Sequence, residues 1–147
     1  MVDENDPRGY DAARVTLYLS RLSMEISMKA LLERAGVPKT KIRRRSHDLR
    51  GLLEDLGKCE VNIEVTPGTH VWVSASRVRA QSIDLGLAHL PIGTLIDAED
   101  KGASQYPNEI RYGERVIDFK PSLVSAAAKL LAAWAKSHWD IIRPSTK

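Results

Sequence analysis

The sequence has 147 residues and one cysteine, Cys59. An internal disulfide is therefore impossible, a multi-cysteine zinc site is excluded, and a reducing compartment is expected. The four histidines, His47, His70, His89 and His138, are scattered. No two sit at the i, i+4 spacing by which one helix offers a pair of metal ligands, so no metal and no cofactor is expected. No glycine-rich phosphate loop occurs, and no Gly-x-Ser-x-Gly elbow that would expose a serine nucleophile. No apolar run approaches the length of a membrane-spanning helix, so no membrane association is expected. The opening stretch, MVDENDPRG, has neither the basic start nor the apolar middle of a secretory signal. It reads as a flexible tail over residues 1–9, with the cytoplasm as the expected compartment.

What the chain does contain is 43% hydrophobic and 28% charged residues, the balance of an ordinary globular domain. Its length suits one domain with a real core, expected over residues 10–140, followed by a tail at 141–147. The net charge of +3 is unevenly placed. Residues 39–50 hold Lys39, Lys41, Arg43, Arg44, Arg45 and Arg50 against Asp48 alone, a local +5 that leaves −2 for everything else. A local basic patch is the footprint of an anion or nucleic-acid site.

Residues 12–34 contain no Gly and no Pro, and read as one long helix over 10–35. On a wheel of about 100° per residue, Val15, Leu19, Leu22 and Ile26 share one side and Leu17, Met24, Met28 and Leu31 the other. Two apolar faces predict a helix sandwiched between neighbours. Between them run a strip of small residues (Ser20, Ser23, Ser27) and a charged strip (Arg14, Arg21, Glu25, Lys29). Glu25 precedes Lys29 by four, the order that favours a helical ion pair, which either is solvated or lines a ligand site. Gly36 caps the helix and Pro38 prevents a restart.

Residues 37–45 read as a basic loop with room for a short helical turn. Ser46 is the expected N-cap of a helix over 47–57, ended by Gly57 and striped by Leu49, Leu52, Leu53 and Leu56. Val61, Ile63 and Val65 then alternate with polar residues, as do Val71 and Val73 beyond a Thr-Pro-Gly-Thr turn, which predicts a β-hairpin near 60–74. The apolar residues of 75–97 have no clean period; a helix over 76–89 is expected, interrupted near Pro91 and Gly93. DAEDKGASQYPNE reads as a loop and Ile110–Asp118 as a short ordered connector. Pro121 opens a last helix, with Leu123, Leu130, Leu131 and Trp134 facing inward. Trp72, Trp134 and Trp139 read as core or interface residues.

Several residues carry a choice of chemistry. His47 and Asp48 stand at a helix start, where free amides and the helix dipole favour an anion. Either they are a helix-start device, or His47 with Arg44 and Arg45 holds a phosphate. Arg43, Arg44 and Arg45, with Lys41 beside them, are either a solvated loop or a contact to a polynucleotide backbone. Arg111 and Tyr112 either clamp a phosphate and stack on a base, or pair with an acid such as Glu114 and fill the core.

The order EISMKALLERAG, basic linker, SHDLRGLLEDL, EIRYGE and an alanine-rich final helix resembles the HEPN family, the nucleotide-binding helical domain of prokaryotes and higher eukaryotes. The likeness covers residues 12–57 and 106–136. It implies a mainly α fold, an antiparallel bundle of four or five helices, here with the hairpin as an insertion. It also implies a homodimer, nucleotide or RNA binding, partnership with a minimal nucleotidyltransferase, and a place in toxin–antitoxin or defence systems. Nuclease members carry an Arg followed by His after four to six polar residues, and that signature is absent here. The expectation is therefore a non-catalytic binding module using Lys41, Arg43, Arg44, Arg45, His47, Arg111 and Tyr112. The alternatives are an atypical metal-independent ribonuclease using His47, Arg43 and Arg111, and a structural dimerisation domain.

Overall fold

A computed structural model describes residues 7–86, 89–100, 111–112, 115–116 and 121–145, with side chains left aside for 7–11, 100, 111–112 and 115–116. The chain is mainly helical with a small antiparallel sheet. The first helix, α1 (Pro7–Ala35), is about 43 Å long at 1.5 Å per residue. It ends as expected: Gly36 has φ +100°, its N–H donates to the Glu33 carbonyl, and the Val37 N–H donates to the Leu32 carbonyl. That pair of bonds satisfies carbonyls the helix end would otherwise leave open. The expected tail lies mostly outside the described residues.

Only one of α1's two apolar faces is covered. Met24, Met28, Leu31 and Leu32 are fully buried, whereas Val15, Leu19 and Ile26 are each more than half exposed. The expected sandwich is therefore half-built within this chain. The covered face packs mainly on α5 and α3, described below.

The basic segment is a six-residue helix, α2 (Lys39–Arg44), pinned by Ile42, its one buried side chain. The next helix, α3 (Leu49–Gly57), buries Leu49, Leu52, Leu53 and Leu56, the stripe read from the sequence. Its N-cap is Asp48, not Ser46: the Asp48 carboxylate accepts the Gly51 N–H at 3.0 Å, and Ser46 sits back in the turn at φ +50°. The hairpin is present as β1 (Glu60–Thr66) and β2 (Thr69–Ser74), turning at Gly68 with φ +81°. Val61 opposes Val73 and Ile63 opposes Val71.

Residues 75–86 do not form the expected helix. Ser74 caps a single 3₁₀ helix, Ala75–Ala80, by accepting the Ser76 N–H at 3.1 Å. Gln81 then turns extended into β3 (Ser82–Asp84), which pairs with β4 (His89–Pro91). Pro91 disfavours helical geometry in the residue before it, which suits an extended Leu90. Immediately beyond Pro91 comes α4 (Ile92–Asp100), where an interruption and a loop were expected. Ile92, Leu95, Ile96 and Glu99 give α4 a buried i, i+3, i+4, i+7 stripe.

The connector appears as β5 (Arg111–Tyr112) paired with β6 (Arg115–Val116). The last helix, α5 (Pro121–Ser137), buries Val124, Ala127, Ala128, Leu131, Trp134 and Ala135. Leu123 and Leu130 lie at its half-buried flanks. The expected C-terminal tail instead supplies β7 (Ile142–Arg143), which pairs with β1 and completes a sheet of order β2-β1-β7. Arg143 stacks over Trp72 at 3.7 Å and reaches Glu60 at 3.3 Å. Among the described residues, no helix is long and apolar enough to cross a membrane.

The placement of α4 is directly testable. Ile96→Ala removes a fully buried side chain and is expected to cost about 2–5 kcal/mol in urea denaturation. Leu85→Ala, at an exposed position, should stay within about 0.5 kcal/mol.

Candidate functional site

The basic patch condenses onto α2 and the turn after it. Taking about 100° per residue and Ile42 as the inward point, Arg43 lies to one side of α2, Lys41 to the other, and Arg44 nearly opposite. On the Arg43 side, Ile26, Lys29, Ala30 and Glu33 of α1 join Lys39, Ile42 and Arg43 to line an open groove of about 410 Å³. On the Lys41 side, the Lys41 charge acts on Asp55 of α3.

The six cations of residues 39–50 divide evenly. Lys39 lies 3.4 Å from Glu33, and Arg50 lies 3.8 Å from Glu54 and 3.7 Å from Asp97. Arg45 is bound inward: its Nε and Nη2 donate to the two Asp55 carboxylate oxygens at 2.8 and 2.9 Å, and Asp48 Oδ2 lies 3.8 Å from its Nη1. Lys41, Arg43 and Arg44 are exposed and, among the described residues, have no ion-pair partner.

The expectation that Arg45 belongs with the anion-binding residues is thus corrected in part. Its guanidinium completes a two-pronged bond to a carboxylate whose side chain is only 2% exposed. That geometry is the strongest an arginine makes. The Arg45 side chain holds Asp55 well below the usual carboxylate range, outweighing the burial that pushes it up. Arg45 in turn is raised above its ordinary value, chiefly by the bond to Asp55. The same contact explains Gly51: a Cβ there would collide with Asp48 Oδ2 and stand 2.7 Å from Arg45 Nη1. Sequence reading offered no role for Gly51; a glycine in the first turn of a helix beside an Arg and an Asp was the available signal.

His47 is both a structural link and an open group. Its Nδ1 lies 2.6 Å from Glu25 Oε1, and Lys29 Nζ bonds the other Glu25 oxygen at 3.3 Å. Glu25 is buried, so the pair expected with Lys29 is not a solvated bridge: the carboxylate anchors α1 to the turn after α2, and Lys29 also lines the groove. A carboxylate accepts only, so Nδ1 carries the proton. The imidazole is otherwise 85% exposed, which leaves Nε2 in solvent.

No family model, curated protein or solved structure matches this chain. Arg43, Lys29 and Ile42 share one groove, and His47 is tied to it through Glu25. Arg111 and Tyr112 stand in β5, and their side chains fall outside the described residues. Cys59 lies near this corner, but burial, reinforced by the Asp55 charge, pushes its thiol up and keeps it protonated.

The Asp55 clamp predicts an acid-dependent stability. A carboxylate with a depressed folded value stabilises fully above its unfolded value, near pH 4, and loses that contribution as the pH falls through the folded value. Asp55→Asn should cost about 1–3 kcal/mol near pH 7, because it leaves Arg45 under-satisfied. Wild type and variant should begin to converge in chemical denaturation as the pH falls below about 4, and meet once it has passed through the folded value.

Proposed function

We propose that this chain is a non-catalytic helical binding module of HEPN type whose α2 corner holds the phosphates of RNA or a nucleotide. In this reading α1, α3, α4 and α5 form the bundle, and the hairpin and its third strand are an insertion. The observation that carries it is the set of three exposed cations, Lys41, Arg43 and Arg44, with no acidic partner among the described residues. A surface ion pair is worth little to stability, and of the three cations only Lys41 acts on the Asp55 anchor, through its charge. They repel one another until an anion arrives. Lys29, beside Arg43 in the groove, and the Nε2 of His47 extend the same field. The Arg111 and Tyr112 side chains are assigned to the corner by the resemblance alone, and a minimal nucleotidyltransferase with an acidic face is the alternative occupant.

The test is RNA binding as a function of salt. Lys41→Ala/Arg43→Ala/Arg44→Ala should weaken binding across sequences. At about 0.7 counterions per phosphate contact on a single strand, it should flatten the slope of log K against log salt by about two. Binding and slope equal to wild type would remove the assignment. Calorimetry with a mononucleotide separates nucleotide from polymer.

The bare face of α1 supports a second part of the proposal, a homodimer. Val15, Leu19 and Ile26, exposed on one face with the half-buried Leu22 between the last two, form a stripe that a second α1 fits by the two-fold repetition common in protein dimers. Leu19→Glu/Ile26→Glu is expected to give a folded monomer by light scattering where wild type is dimeric.

The bond between His47 and Glu25 favours keeping one other reading. A carboxylate-oriented imidazole with its Nε2 open to solvent is the geometry of a general base. In that metal-independent ribonuclease, His47 takes the 2′-hydroxyl proton, the 2′-oxygen bonds to phosphorus as the bond to the 5′-oxygen breaks, water protonates the departing oxygen, and Arg43 steadies the phosphate, with Arg111 assigned by resemblance. RNA cleavage in EDTA, abolished by His47→Ala, would decide for it.

A further inference from the structure

A second groove shares no lining residue with the α2 corner. It lies between β1, the 3₁₀ helix and α5, with an open volume of about 430 Å³. That falls within the range of small-molecule sites, roughly 300–1,000 Å³. Its floor is apolar, formed by Val61, Ile63, Leu130 and Trp134. Its polar groups are Arg77, Gln81 and the Ser137–His138 pair.

Three of these polar groups have capacity left over. Arg77 is exposed and, among the described residues, has no ion-pair partner; no Asp or Glu lines the groove. The Gln81 backbone is engaged by Val78 and Ile92, but its side-chain amide has no partner among the described residues. His138 is held in a fixed pose. It stacks on Trp134 with centroids 4.0 Å and planes 16° apart, and its Nδ1 lies 2.8 Å from the Trp134 carbonyl oxygen and 3.0 Å from Ser137 Oγ. A carbonyl only accepts, so Nδ1 carries the proton and Nε2 is the unengaged ring atom.

The apolar floor and the unpaired cation ask for different parts of one ligand. A free inorganic anion would leave the floor unused, and a neutral ring would leave Arg77 unused. A flat ring bearing one carboxylate uses both, with the guanidinium fork matched to the carboxylate. We propose that this groove binds a small aromatic carboxylate. The ring lies on Val61, Ile63 and Leu130, the carboxylate meets Arg77, and Gln81 and His138 fix its orientation. The site is independent of the RNA reading.

The test is titration of the full-length protein with 1-naphthoate, followed by tryptophan fluorescence and two-dimensional amide NMR. Saturable binding is expected, with shifts centred on Val61, Ile63, Arg77, Gln81, Leu130 and residues 133–138. Arg77→Gln should weaken it about tenfold, the loss of one charge-assisted bond. 1-Naphthalenemethanol, the same ring without charge, should be weaker by about the same factor. Ala133→Phe, at an exposed position on α5 lining the groove, should abolish binding. Lys41→Ala/Arg43→Ala/Arg44→Ala should leave naphthoate affinity unchanged. The proposal fails if no saturation occurs at millimolar naphthoate, if Arg77→Gln or the neutral ring binds equally well, or if Ala133→Phe still binds.

Discussion

A nearly buried carboxylate organises the basic end of this molecule. Asp55 sits on the core side of α3, where an ionised group without a partner would be costly. Arg45 reaches back from the end of α2 and satisfies both oxygens. The bond fixes the turn between α2 and α3, and that turn decides where the other cations point. With Arg45 turned inward and Ile42 in the core, Lys41, Arg43 and Arg44 are left exposed, without an ion-pair partner among the described residues. A second anchor, His47 to Glu25 to Lys29, ties the same turn to the long helix. Gly51 is the steric condition for the first anchor, since any side chain there would displace Arg45 and Asp48.

The two grooves show how the same fold can present different chemistry in two places. Near α2 the lining includes three cations and one acid beside Ile26, Ala30 and Ile42. Near α5 the floor is Val61, Ile63, Leu130 and Trp134, and the rim is one cation with neutral donors and acceptors. A flexible polyanion suits the first, which makes little demand on shape. A flat, singly charged molecule suits the second, where Trp134 and His138 are locked in a stack before anything binds.

Much of the helical frame was legible because each signal was local. Gly36 and Pro38 mark the end of α1, Leu49 to Leu56 the inner face of α3, Pro121 the start of α5, and Pro67-Gly68 the hairpin turn. The errors arose where a distant partner decided. Ser46 and Asp48 are equally good capping residues, and Asp48 prevails beside Arg45, which must reach Asp55. Pro91 was read as breaking a helix when it stands immediately before one. Ile83 was read as helical although it faces Leu90 across two short strands. Arg45 looked like Arg43 and Arg44 because nothing adjacent shows that Asp55, ten residues on, would claim it. The faces of α1 were equally apolar in the sequence, which records hydrophobicity but not which neighbour covers it.

The closing strand has a consequence for how the chain reaches this state. Glu60 and Arg143 bond across 83 positions, and α1 rests on α5 from opposite ends of the chain. Contacts that distant cost loop-closure entropy before they return any stabilisation. On a ribosome, the leucines of α3 and the inner residue of β1 therefore emerge long before their final cover is synthesised. Until then they must be shielded by transient collapse or by chaperones.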